Sequence, residues 1–144
     1  MGRARTADGR TDHPLPRPGA GGHQYPFAAL LRSGATLAAG SDWPVSSPDP
    51  LHGIHTAVNR VVPGGTGPAF LPGQRIGLTA ALAAYTAGSA HVNHLDDTGS
   101  VRAGALADLV VLDRDPYAAP PGEIAETRVV GTYVGGQRVY DAGL

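Results

Sequence analysis

An α/β fold is the class this sequence predicts, on three observations. The apolar run Ala35-Thr36-Leu37-Ala38-Ala39 is short, is flanked by Gly34 and Gly40, and has a helix-like segment on each side, as a strand of an α/β sheet would. Leu51, Ile54, Val58 and Val61 then recur at helical spacing. Beyond Asp96 the apolar period changes to that of strands, in Leu109-Val-Val-Leu112 and in two β-rich runs between Arg128 and Tyr140.

Each element has its own local signals. Residues 1–22 contain four arginines, three prolines and five glycines, with Met1 and Leu15 as the large apolar side chains. Such a segment buries too little to offset its ordering entropy and is expected to be disordered. A misplaced start or a shifted reading frame would also produce it; an Arg-rich transit peptide fits less well, given Asp8 and Asp12. From Tyr25 the chain becomes regular: Pro26 suits the first helical position, Phe27, Leu30 and Leu31 share a face, and Gly34 suits the left-handed residue after a helix end. Asp49 reads as an N-cap with Pro50 in the first turn of the next helix. Residues 63–77, with three prolines and five glycines, read as a surface excursion, and a further helix is expected from about Thr79 to about Gly88. Gly135-Gly136 between two β-rich runs predicts a two-residue hairpin turn.

Composition excludes several classes of function. The formal net charge is −1, charged residues make up 16%, and the arginines are scattered, so nucleic acid is not an expected partner. Cysteine is absent, which removes disulfides and thiolate metal sites. No apolar stretch approaches the roughly 20 residues of a membrane span, and the N-terminus lacks the apolar core of a signal peptide. No membrane association and a cytoplasmic location are the expectations.

Chemistry centres on Gly40-Ser41-Asp42. Asp42 sits where the apolar run opens into a loop, and strand ends of this kind carry the ligand sites of α/β folds. Between Gly21 and His94 the acidic residues are Asp42 and Asp49, and Asp49 is accounted for as a helix cap. Asp42 is therefore the residue to explain, either as a reacting carboxylate or as one bonded to loop amides. Trp43 follows it, where an aromatic either walls a substrate pocket or packs beneath the loop. His52 and His55, and His91 and His94, are each three apart, a spacing that shares a helix face and permits a metal pair or arises by chance on an amphipathic surface. His55, nearer the Asp42 loop, is a candidate substrate contact. Asp108 reads as structural, accepting backbone hydrogen bonds at the entry to a strand.

The strings Tyr25-Pro-Phe, Gly40-Ser-Asp-Trp-Pro-Val, Asp49-Pro-Leu and Gly53-Ile-His-Thr-Ala-Val-Asn-Arg60 resemble the last barrel segments of a metal-dependent amidohydrolase. Ala84-Tyr-Thr-Ala-Gly-Ser-Ala90 and Ala107-Asp-Leu-Val-Val-Leu-Asp-Arg-Asp-Pro116 resemble the closing section of the same superfamily. The match is to the amidohydrolase 3 group, the YtcJ-like branch that includes N-substituted formamide deformylases. It runs from about Tyr25 to the C-terminus, its motifs in the family's order.

The resemblance implies the C-terminal part of a TIM-type (β/α)8 barrel over residues 23–95, followed by part of a composite β-sandwich over 96–144. A whole barrel needs roughly 250 residues, more than the 144 here. The implied activity is hydrolysis of a non-peptide carbon–nitrogen bond in a small amide-type substrate by metal-activated water. Asp42 would be both catalytic residue and ligand to a divalent metal, zinc. The family's His-x-His pair is absent, and all eleven basic residues are arginine, so no carboxylated lysine exists. The metal is therefore not expected to be retained by this chain alone, which is expected to be inactive and prone to self-association through an exposed barrel edge. The alternative is a non-enzymatic remnant or docking fragment without metal or catalysis.

Overall fold

The computed structural model describes residues 24–143, and the segment expected to be disordered lies outside them. The described chain mixes short helices with one small antiparallel sheet. Helix α1, Phe27–Arg32, follows Pro26, which is the cap residue rather than the first helical one. Helix α2, Pro50–Asn59, begins as its sequence signals require: the Asp49 carboxylate accepts from the Leu51 amide at 2.9 Å. It ends at Arg60, a non-glycine residue in the left-handed region. Val61, assigned to the helical spacing by sequence, lies beyond this end.

A single 3-10 turn, Pro72–Gln74, interrupts the irregular excursion that follows. The next helical body is continuous but not uniform: α3, Leu78–Ala83, widens into a π-helical turn, Ala84–Gly88, and closes in α4, Ser89–Val92. π turns of this kind occur mostly as single insertions inside α-helices, often at functional sites.

Three strands form the sheet: β1, Leu109–Leu112, β2, Val129–Val134, and β3, Gln137–Asp141, in spatial order β1-β2-β3 and all antiparallel. Leu109 pairs with Tyr133, and Thr132 pairs with Tyr140. Gly135 and Gly136 turn the β2–β3 hairpin at φ 56 and 82, the doubly left-handed geometry of a two-residue loop that residues with a Cβ adopt at a cost. Asp108, one residue before β1, accepts from the Gly135 amide at 2.7 Å. Its carboxylate thus fastens the strand entry to the hairpin, a structural task.

The core sits between the helices and the second half of the chain. Leu51, Ile54, Ile76, Ala81 and Ile124 are buried in one cluster with Ala28, and Leu112 and Val129 of the sheet pack against it. Ile124 comes from a 3-10 helix, Pro121–Glu126, that lies on α2. Burying leucine and isoleucine side chains contributes about 1.5–3 kcal/mol each, and these contacts hold α2 in place. Arg60 supplies a second tie. It is buried, donates from Nε to the Phe70 carbonyl at 2.9 Å and from a terminal nitrogen to the Tyr25 carbonyl at 3.3 Å, and lies 5.8 and 5.6 Å from the Phe27 and Phe70 ring centres. Carbonyl acceptors and ring faces compensate its charge.

The strand expected at residues 35–39 is not assigned as one. Among the described residues the segment runs without a strand partner, and a ladder needs two strands. Its exposure nevertheless alternates residue by residue, as in a strand covered on one face. The cover is the α3–α4 body.

Candidate active site around Asp42

Contacts from the helical body fix the segment leading to Asp42. The Ala39 amide donates to the Ala84 carbonyl at 3.0 Å, and the Ser89 hydroxyl, whose single hydrogen they share, lies within hydrogen-bond reach of the carbonyls of Ala39 at 2.9 Å and Ala84 at 3.0 Å. Ala84 opens the π turn, so its carbonyl serves partners outside the helix at the place where the helix widens. Nearer the N-terminus, Leu37 approaches Gly88 so closely that a Cβ there would overlap the Leu37 carbonyl oxygen.

From this anchored stretch the backbone turns. Asp42 is left-handed at φ 53, a conformation uncommon outside glycine but enriched in aspartate and asparagine. Its carbonyl accepts from the Val45 amide at 2.8 Å, the Trp43 amide donates to the Ser41 hydroxyl at 3.3 Å, and the Ser46 hydroxyl donates to the Ser41 carbonyl. The Trp43-Pro44 peptide is cis. The Asp42 side chain is exposed and, among the described residues, has no hydrogen-bond or ion-pair partner. Loop amides therefore do not account for this carboxylate. Backbone held in a sparsely populated region by surrounding contacts is a pointer to function.

Trp43 is 66% exposed and Val45 82%. The reading in which the indole packs beneath the loop is corrected by this: the backbone and serine contacts close the inside of the turn and leave the ring outside. Asp42, Trp43 and Val45 thus form a projecting tip with one carboxylate and two apolar side chains. A wide, solvent-open hollow of about 1440 Å3 lies elsewhere, against the start of α2 and the β2–β3 pair, walled by Leu51, Arg128, Val130 and Tyr140 among others. Asp42 is not on its wall, and the chemistry points to the tip rather than to the hollow.

Among the described residues, the histidines are not gathered at that tip. His52 Nε2 lies 3.8 Å from the Asp49 carboxylate on the surface of α2, and His91 and His94 are exposed at the end of α4 and beyond it. His55 is 4% exposed, and its Nδ1 is buried without a hydrogen-bond partner among the described residues. Burial, with His52 adding to it, holds the His55 imidazole below the ordinary 6.5 of a histidine. An unfolded chain therefore takes up a proton at His55 before the folded chain does, so stability falls as the pH drops below 6.5 toward the folded value. His55→Leu removes that contribution. Thermal midpoints at pH 7.5 and 5.5 are expected to differ less in the variant than in the parent, and an equal drop in both would place the acid sensitivity elsewhere.

No group of three His, Cys, Asp or Glu side chains that could hold a metal ion exists among the described residues. A zinc centre takes three or four protein donors, and Asp42 offers one carboxylate. The described residues do not by themselves fit the metal that the resemblance implies.

Two residues that sequence reading gave no role shape this region. Arg60 carries no recognisable signal, because a lone arginine at a helix end reads as a solvated charge. Tyr85 sits in the π turn; its phenol lies against Gly53 of α2 and donates to the Gly40 carbonyl at 3.5 Å. Its contacts are 32 and 45 residues away in sequence, so nothing local announces them.

Comparison with known proteins agrees with the chain's motifs. A family model described as "Amidohydrolase family" matches residues 4–140. "Protein LONG AFTER FAR-RED 3" of Arabidopsis thaliana is 42% identical over 117 residues, covering 81% of this chain and 20% of that protein. An N-substituted formamide deformylase of Arthrobacter pascens is 34% identical over 118 residues, covering 81% of this chain and 21% of that enzyme. The crystal structure of an amidohydrolase from Thermotoga maritima has the same fold over 81% of this chain and 26% of its own, at a TM-score of 0.58 and 24% identity. The chain spans about a fifth of the length of these curated relatives. With nearly its whole length matched by the family model, this chain belongs to the amidohydrolase family.

Proposed function

We propose that this chain supplies the Asp42 portion of a hydrolase acting on non-peptide carbon–nitrogen bonds in small amide-type molecules. The observation that carries the reading is the exposed Asp42 carboxylate, without a partner among the described residues, on a left-handed backbone that the π turn holds from behind. A carboxylate so placed can accept a proton from water as the water oxygen attacks the substrate carbonyl carbon. It can then deliver that proton to the leaving nitrogen as the carbon–nitrogen bond breaks. Trp43 and Val45, exposed beside it, would touch the apolar part of a substrate. In this reading residues 23–95 are the end of a TIM-type barrel and 96–144 part of a β-sandwich. The open edges of the 35–39 segment and of β1 and β3 favour association with further strands or with other copies.

A chimera tests the reading. Residues 24–143 are grafted in place of the matching fifth of the Arthrobacter pascens deformylase, and hydrolysis of an N-substituted formamide is followed. Turnover by the folded chimera, with none by the present chain alone, is the expected result. A folded chimera without turnover would favour the non-enzymatic alternative, and turnover by this chain alone would show that Asp42 needs no further groups.

A further inference from the structure

We infer that Tyr85 is a positioning residue that fixes the Asp42 turn through the Gly40 carbonyl and couples it to α2. Three contacts support this. The hydroxyl donates to the Gly40 carbonyl at 3.5 Å, two residues before Asp42. The same hydroxyl and ring lie over Gly53, where a methyl group would overlap the oxygen, so the phenol is wedged between α2 and the Asp42 segment. The ring springs from the π turn whose Ala84 carbonyl already holds the Ala39 amide, so backbone and side chain of adjacent residues grip adjacent positions of one segment.

Tyr85 thus touches both α2 and the carbonyl leading into Asp42. Burial raises the phenol above its ordinary 10.0, so it keeps its proton and stays a donor through neutral pH. At 3.5 Å the hydrogen bond is long and contributes modestly. Its leverage comes from position: Asp42 holds a left-handed φ that a loosened Gly40 would release. Misplacing a reacting group by an ångström costs up to about a hundredfold in rate.

The inference rests on Asp42 being the reacting carboxylate, but its structural half is tested without turnover. Tyr85→Phe removes the hydroxyl and keeps the ring. In the present chain, amide exchange at Val45, which reports the Asp42–Val45 turn, is expected to speed roughly three- to tenfold. The Gly40 carbonyl and Asp42 Cα 13C signals should move with it, while exchange in the β2–β3 hairpin stays the same. Gly53→Ala, which displaces the phenol from the other side, should reproduce that local signature. In the chimera, Tyr85→Phe should lower kcat roughly tenfold with KM unchanged. Unaltered Gly40 and Asp42 signals in both variants, or a uniform rise in exchange across the chain, would overturn the inference. A local signature without any change in kcat would overturn its catalytic half while leaving the turn contact established. Neither result depends on what Asp42→Asn does, so failure of the Asp42 reading is seen separately.

Discussion

Gly88→Ala is expected to destabilise the chain by about 2 kcal/mol, a loss set by two opposing effects. Alanine at a helical position gains about 1 kcal/mol over glycine in intrinsic propensity. Against this, a Cβ at residue 88 would overlap the Leu37 carbonyl oxygen, which is backbone and cannot rotate away. Two residues further on, Ala39 is fixed by the Ala84 carbonyl and the Ser89 hydroxyl, so the segment can retreat only by breaking those bonds. Overpacking of a constrained contact costs about 1–3 kcal/mol, and each hydrogen bond lost adds about 1 kcal/mol, so the steric side wins. The thermal midpoint should fall by roughly 10 °C. Gly77→Ala, where a Cβ meets open space, is the control and should leave the midpoint within a few degrees. A Gly88→Ala protein as stable as its parent would mean that the helix does not press on residues 35–40.

If Asp42 acts as proposed, Asp42→Asn in the chimera carries the largest expected effect on activity. The substitution keeps size and shape but removes charge and basicity, so a group that must take a proton from water and return it to nitrogen can do neither. General acid–base catalysis contributes about 10²–10⁴-fold, and at least that should be lost. Because the Asp42 carboxylate has no partner among the described residues, its removal breaks no hydrogen bond there and should leave stability unchanged. Asp108 is the contrast. Its carboxylate accepts from the Gly135 amide at 2.7 Å, and weakening a charge-assisted bond of that kind costs about 1–2 kcal/mol. Asp108→Asn should lower stability and spare turnover per folded molecule.

How much of this was legible in the sequence follows the range of the interactions. The Asp49 cap, the Gly135-Gly136 hairpin and the strand at 109–112 rest on residues within a few positions of one another, and the structure has all three. Asp108 was legible as a strand-entry residue, though its partner, 27 residues away, was not. The extended character of 35–39 was legible from its apolar run, but a strand also needs a neighbour, and pairing is a property of another segment. The π turn could not be read at all, because its widening is tied to Ala39, which reaches Ala84 across 45 residues. Tyr85 and Arg60 escaped for the same reason. Trp43 shows the opposite failure: the general tendency of large aromatics to be buried pointed inward, and the serine-closed turn left the ring outside.

The most direct test of Asp42 as the reacting carboxylate is the turnover number of the formamide-hydrolysing chimera, measured per folded molecule for Asp42→Asn and Asp108→Asn beside the parent. The expected result is a loss of at least about a hundredfold in Asp42→Asn at an unchanged thermal midpoint, with Asp108→Asn less stable and near parental in turnover. An Asp42→Asn protein that keeps most of its turnover, with Asp108→Asn losing it, would contradict the assignment and move the reacting carboxylate away from the end of the 35–40 segment.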